Sequence, residues 1–270
     1  ASASLTVTVT DDEAPAIADL PADITLTNDE GICGAAATWA TATATDNCEV
    51  DTLTADFAPG DVFPVGTTTV TFTAVDIYLN EATATFTVTV IDDEAPAIVA
   101  LPADILLTND AGECGAIAEW PEPSSIDNCE IDTLTADATS GDFFEVGTTT
   151  VTYTTVDIHS NSTTASFTVT VTDDEAPAIA GLPANQLLTN DEGACGALFD
   201  WAPATASDNC GVLSLDFTTG LEGAQQPQGA GPSGIVFPVG TTEVIYTAID
   251  IHANETTASF TVTVTDDEAP

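Results

Sequence analysis

Threonine alternates with apolar residues through long stretches of this chain. Residues 67–75 read Thr-Thr-Thr-Val-Thr-Phe-Thr-Ala-Val, and residues 82–90 read Ala-Thr-Ala-Thr-Phe-Thr-Val-Thr-Val. A period of two sends alternate side chains to opposite faces of a strand. Val70, Phe72, Phe86 and Val88 therefore point one way and the threonines the other. A shorter strand is predicted at Ile24 to Thr27, closed by the turn Asn28-Asp29-Glu30-Gly31, and another runs from Gly34 to Trp39. No stretch of useful length has helical periodicity. Many short strands with frequent turns predict an all-β fold built of immunoglobulin-like β-sandwiches.

The pattern recurs. Asp11-Asp12-Glu13-Ala14-Pro15 returns at 92–96, 173–177 and 266–270; the first three copies start 81 residues apart and the fourth 93 later. Such a period predicts tandem repeats in a linear array, with sandwiches at 12–92, 93–173 and 174–266. Residues 1–11 read as the last strand of a preceding module plus linker, because Leu5-Thr-Val-Thr-Val matches the Phe-Thr-Val-Thr-Val runs at 86, 167 and 260. Residues 267–270 read as a linker to a next module, so the chain is expected to be an excerpt or repeating unit of a longer array. The alternative is that the first strand is donated to a neighbouring subunit. The extra residues of the third module fall in the Gly/Pro/Gln-rich stretch 221–234, a loop insertion.

Charge changes the picture. The chain has 44 acidic residues, no Lys or Arg, two His and a formal charge of −44, yet 44% of it is hydrophobic and its mean hydropathy is +0.20. It can bury a core, but self-repulsion opposes compaction unless cations bind the folded form. Nucleic acid is excluded as a partner, since phosphate contacts need Lys or Arg, and anionic lipid is disfavoured. No apolar run approaches the ~20 residues of a membrane span. The chain also has no trypsin site.

In an immunoglobulin-like strand order, two loops return to the pole where the linker enters each module. The linkers bring Asp12 and Glu13, Asp93 and Glu94, Asp174 and Glu175. One loop carries Asp46-Asn47, Asp127-Asn128 and Asp208-Asn209; the other carries Asp76 with Asn80, Asp157 with Asn161, and Asp250 with Asn254. Three oxygen-rich segments then converge at each joint, a donor set that suits Ca²⁺. Asn28, Asp29 or Glu30 of the preceding module's far pole can add to it. The solvated alternative is an acidic linker with turn-forming Asp and Asn.

Six cysteines fall two per module: Cys33 and Cys48, Cys114 and Cys129, Cys195 and Cys210, each pair 15 apart. They read as disulfides and as a mark of an oxidising compartment. Closing a 15-residue loop contributes ~3 kcal/mol, which favours a bond within each module. An extended strand between the partners would hold them ~20 Å apart, too far for that bond. The other pairing joins adjacent modules, Cys33 with Cys129 and Cys114 with Cys210. His159 and His252 sit far from the cysteines in sequence, and no CxxC spacing supports zinc. Asn161-Ser-Thr and Asn254-Glu-Thr are glycosylation sequons that compete with metal binding at the same Asn.

In chain order, each module carries an acidic-x-Pro start, Leu20-Pro21-Ala22-Asp23-Ile24, Cys33-Gly34-Ala35, Trp39, Asp46-Asn47-Cys48, Phe63-Pro64-Val65-Gly66-Thr67-Thr68-Thr69-Val70, Val75-Asp76 with Asn80, and a closing Phe86-Thr-Val-Thr-Val90. This series resembles the HYR (hyalin repeat) domain family. Glu145 replaces the usual Pro in module two, and Leu79, Ser160 and Ala253 stand where the family has Gly before Asn. The resemblance implies an immunoglobulin-like sandwich in extracellular adhesive or matrix proteins, without catalysis. The joints also resemble those of cadherins, whose acidic linkers bind Ca²⁺ between sandwiches. The chain is thus expected to be a calcium-stiffened structural filament or stalk, self-associating or continuing into neighbouring modules. The alternative is a spacer in a large adhesin whose binding domains lie elsewhere. No Ser/His/Asp or Cys/His set recurs with the modules to support an enzyme.

Overall fold

A computed structural model describes residues 2–221 and 234–268. Apart from its two end residues, the expected insertion at 221–234 lies outside the described residues. The chain forms two compact units. One holds the residues up to Leu101 with Glu122–Asp137 and Thr152–Ser166; the other holds Pro102–Pro121, Ala138–Val151 and the described chain from Phe167 onward.

In the first unit, module one has eight strands: β1 (Ala16–Ala18), β2 (Ile24–Thr27), β3 (Gly34–Ala36), β4 (Thr43–Thr45), β5 (Val50–Ala55), β6 (Val62–Pro64), β7 (Gly66–Asp76) and β8 (Glu81–Ile91). One layer is the sheet β2-β8-β7-β5; the pairs β1-β4 and β3-β6 supply the rest. The two long alternating runs form the hairpin β7–β8, with Val70 opposite Phe86. β2 joins β8 in parallel, Ile24 opposite Val88. The alternation predicted from sequence is the burial pattern observed, with Val70, Phe72, Phe86 and Val88 all buried. Trp39 packs edge-on to Phe63 and Phe86, ring centres 5.9 and 5.2 Å away. Gly34 is required where β3 meets β6, because a Cβ there would lie 2.5 Å from the Phe63 carbonyl oxygen. The same unit holds part of module two: β9 (Ala97–Val99) paired with β12 (Ser124–Ile126), and β13 (Ile131–Ala136) paired with the Tyr153–Asp157 end of β15 (Gly147–Asp157).

The second unit repeats this plan. β10 (Ile105–Thr108) runs parallel to the end of β16 (Ser162–Thr172), and β11 (Gly115–Ile117) pairs with β14 (Phe143–Glu145). Module three follows with β17 (Ala178–Ala180), β18 (Gln186–Thr189), β19 (Gly196–Phe199), β20 (Thr205–Ser207), β21 (Val212–Thr218), β22 (Ile235–Pro238), β23 (Gly240–Asp250) and β24 (Glu255–Thr265). Its sheet order is β18-β24-β23-β21, the order of module one. Trp201 Nε1 donates to the buried Tyr246 hydroxyl at 2.9 Å.

Residues 2–10 differ from the sequence expectation. They form no strand, and Leu5, Val7 and Val9 are 88%, 74% and 88% exposed. A strand exists only through a ladder partner, and no described segment pairs with them.

Candidate metal centre at the joints

The inward alternation of β8 takes one further step. Phe86, Val88 and Val90 are buried, and so is Asp92, which follows in the same phase. β15 ends likewise, with buried Val151, Tyr153, Thr155 and Asp157. These strand ends meet the loop of Asp127, and within the first unit one carboxylate oxygen each of Asp92, Asp127 and Asp157 lie within 4.8 Å of one another. The second unit builds the same group from Asp173, Asp208 and Asp250.

The group is held from outside. Asp157 Oδ1 accepts from the backbone N–H groups of His159 (2.8 Å) and Asn161 (2.9 Å), and Oδ2 accepts from Asn161 Nδ2 at 2.8 Å. Burial raises the Asp157 pKa, but these bonds and the nearby His159 outweigh it and leave the carboxyl below its ordinary range. Asp250 is lowered for the same reasons, with Asn254 and His252 as partners, and Asp76 is lowered by Asn80 and its turn. Asp92 Oδ2 faces His159 Nδ1 at 3.0 Å, and Asp173 Oδ2 faces His252 Nδ1 at 3.0 Å. The turn that supplies these N–H groups puts Leu79, Ser160 and Ala253 at φ of 73°, 76° and 73°. That is the left-handed conformation the family's Gly would take without strain.

Several buried oxygens have no hydrogen-bond partner: Asp127 Oδ1 and Asn128 Oδ1 at the first joint, Asp208 Oδ2 and Asn209 Oδ1 at the second. Buried acceptors without a donor, next to a group of three carboxylates, call for a cation or proton. The donor set is hard oxygen, and the residues present fit Ca²⁺, with solvent completing its six to eight ligands. The Cys129 sulfur also lies close, but as a disulfide it offers no thiolate.

The linker residues named from sequence divide their work. Glu94 Oε2 accepts from Gly31 N at 2.8 Å and from Asn28 Nδ2 at 3.3 Å, and Asn28 Oδ1 accepts from Asp93 N at 3.0 Å. Glu175 accepts from Gly112 N at 2.8 Å, and Asp174 N donates to Asn109 at 3.0 Å. These residues fasten the linker to the preceding module's pole, whereas the carboxylates in the cluster are the first of each Asp-Asp-Glu, which sequence reasoning passed over. Asn161 Nδ2 also donates to the Asp92 carbonyl at 3.2 Å, and Asn254 Nδ2 to the Asp173 carbonyl at 3.2 Å. The nitrogen that would carry a glycan thus already holds two bonds. At the first pole, Asn47 Nδ2 reaches Glu13 at 3.2 Å, and Asp11 groups with Asp46 and Cys48. Its hydrogen bond to Asp11 pushes the Cys48 thiol pKa up, with burial and the Asp11 and Asp46 charges adding to it.

The disulfide pairing favoured within modules is corrected. Cys33 bonds Cys129, and Cys114 bonds Cys210, each across 96 residues. Cys33 lies at one pole of its module and Cys48 at the other, so the reach along the sandwich outweighs the short loop. Asn128 Nδ2 donates to the Ile32 carbonyl at 3.3 Å, and Asn209 Nδ2 to the Glu113 carbonyl at 2.9 Å, beside each bond.

Tandem immunoglobulin-like sandwiches with disulfide-bonded, oxygen-rich joints define an all-β repeat protein. The HYR domain sequence model matches residues 10–90, 91–171 and 172–264, and the chain belongs to the HYR domain family. It is 35% identical over 268 residues to hyalin of Lytechinus variegatus, covering 97% of this chain and 48% of that protein. To hyalin of Strongylocentrotus purpuratus it is 36% identical over 229 residues, 82% of this chain and 18% of that protein. The chain thus spans less than half of either. Among solved structures, extracellular cadherin domains 1–5 of protocadherin gamma B2 align with 96% of this chain and 61% of theirs, at 16% identity and TM-score 0.35. No described helix is long and apolar enough to cross a membrane.

Proposed function

We propose that the chain is a structural stretch of an extracellular, adhesion-related repeat protein whose joints bind Ca²⁺ and are thereby stiffened into a filament or stalk. Its modules are the repeats 12–92, 93–173 and 174–266. One observation carries the reading: at each joint an Asp-Asn pair has buried, unpartnered oxygens, and its Asp groups with two further carboxylates, in a chain with no Lys or Arg. Disulfides persist in an oxidising, extracellular setting, and both joints have one. The ligands are Asp92, Asp127, Asn128 and Asp157 at one joint and Asp173, Asp208, Asn209 and Asp250 at the other.

The test is a thermal melt with and without EGTA. Extracellular modules bind Ca²⁺ at ~10⁻⁴–10⁻³ M. At roughly 10 mM Ca²⁺ each site then stabilises by about 1.4–2.7 kcal/mol, a rise of several degrees per site. An EGTA melt identical to the Ca²⁺ melt sinks the metal reading. The spacer reading is favoured by relatives of much greater length: the chain covers 4% of a sushi, von Willebrand factor type A, EGF and pentraxin domain protein of Mus musculus, at 34% identity over 167 residues, 60% of this chain. Imaging native material separates the two readings, because bare filaments built of this chain alone exclude the spacer.

A further inference from the structure

Among the described residues, two cysteines remain free and exposed, Cys48 and Cys195. They are not equivalent. Cys48 occupies the repeat position of Cys129 and Cys210, and Cys195 occupies that of Cys33 and Cys114. Both repeats with a described neighbour on the relevant side use these positions for a disulfide across the joint.

Each free cysteine sits in a half-joint already folded for its partner. The loop of Cys195 has Asp191 N donating to the Gly196 carbonyl at 2.8 Å and Ala194 N to the Asp191 carbonyl at 2.9 Å. The loop of bonded Cys33 has the same pair, Asp29 N to Gly34 at 2.7 Å and Ile32 N to Asp29 at 2.9 Å. Glu268 accepts from Gly193 N at 2.8 Å, as Glu94 does from Gly31 and Glu175 from Gly112. At the other pole, Asp46 Oδ2 is buried without a partner in the group that holds Cys48, like the oxygens of Asp127 and Asp208 at the complete joints.

We propose that Cys48 and Cys195 are complementary halves of further inter-module disulfides, each completed by the opposite cysteine of another module of this kind. The inference stands on the disulfides and the pole geometry, not on the metal. The bond forms by thiol–disulfide exchange with an external low-molecular-weight disulfide. One thiolate attacks that disulfide and releases one of its thiols; the second cysteine then displaces the other. Two electrons and two protons leave the protein as two external thiols, and one S–S bond forms.

The test oxidises the full chain in a glutathione redox buffer and maps disulfides after cleavage at Asp and Glu, since trypsin has no site. A second arm uses a tandem fusion in which residues 16–270 follow Pro270. A Cys195–Cys48 bond is expected: between separate chains in the first arm if a second copy supplies the partner, only in the fusion if the continuing polypeptide does. Where it forms between chains, a ladder appears on non-reducing gels and is lost in Cys48→Ser and in Cys195→Ser. Both variants retain the Cys33–Cys129 and Cys114–Cys210 bonds. Glutathione-capped cysteines in both arms overturn the proposal, as does a statistical mixture of Cys48–Cys48, Cys195–Cys195 and mixed bonds.

Discussion

Replacing Cys129 by Ser removes the staple at the first joint and leaves Cys33 without a partner. Closing a loop of 96 residues restricts the unfolded chain by ~4.7 kcal/mol. If module one opens while module two stays folded, only the roughly 60 residues from Cys33 to the linker are freed, and the figure falls just to ~4.3 kcal/mol because the dependence is logarithmic. The expected loss is therefore insensitive to which module opens first. Measured losses on removing native disulfides are typically 2–5 kcal/mol. Guanidinium unfolding followed by tryptophan fluorescence reads it, since Trp39 packs in the core of module one. Cys48→Ser is the matched control, because Cys48 is unpaired. A loss below about 1 kcal/mol in Cys129→Ser, or an equal loss in the control, refutes the reasoning.

Two further outcomes test the joint turns. Leu79→Gly should stabilise module one by about 1 kcal/mol in thermal or guanidinium unfolding, because it relieves a side chain held at φ 73°; a destabilised variant contradicts this. Asp157→Asn should flatten the acid limb of the stability curve. Asp157 has a folded pKa below its unfolded value of ~3.9, so its contribution is full above about pH 4 and lost as pH falls through the folded pKa, where the unfolded chain binds more protons. Parallel acid titrations of variant and parent between pH 5 and 2 count against it.

The strands were legible because their alternation is strict and one face is buried. Asp92 was legible in principle as well: it continues the phase of Phe86, Val88 and Val90. Starting each module at the second Asp of Asp-Asp-Glu, and naming that Asp and the Glu as ligands, left out the one carboxylate that the strand phase selects. The disulfide partners were not legible from loop length: β3 stops at Ala36 rather than Trp39, yet Cys33 and Cys48 still emerge at opposite poles, and only the folded sandwich shows it. Residues 2–10 show the converse case, a strand pattern without a ladder partner. Leu79, Ser160 and Ala253 look wrong for a left-handed turn until the carboxylates of Asp76, Asp157 and Asp250 are seen holding its N–H groups.

The two disulfides overlap along the chain, since Cys114 precedes Cys129. A covalent route from Cys33 to Cys210 therefore crosses one sulfur bridge, runs back from Cys129 to Cys114 and crosses the other. Under tension the sandwiches can lose their hydrogen bonds, yet that route pulls taut after the roughly 15 residues of backbone between the two bridges, about 50 Å. The bare polypeptide between the same two cysteines would pay out to about 600 Å. Between Cys33 and Cys210, stretching by force thus meets a covalent stop long before the chain could pay out, and only a reductant releases it.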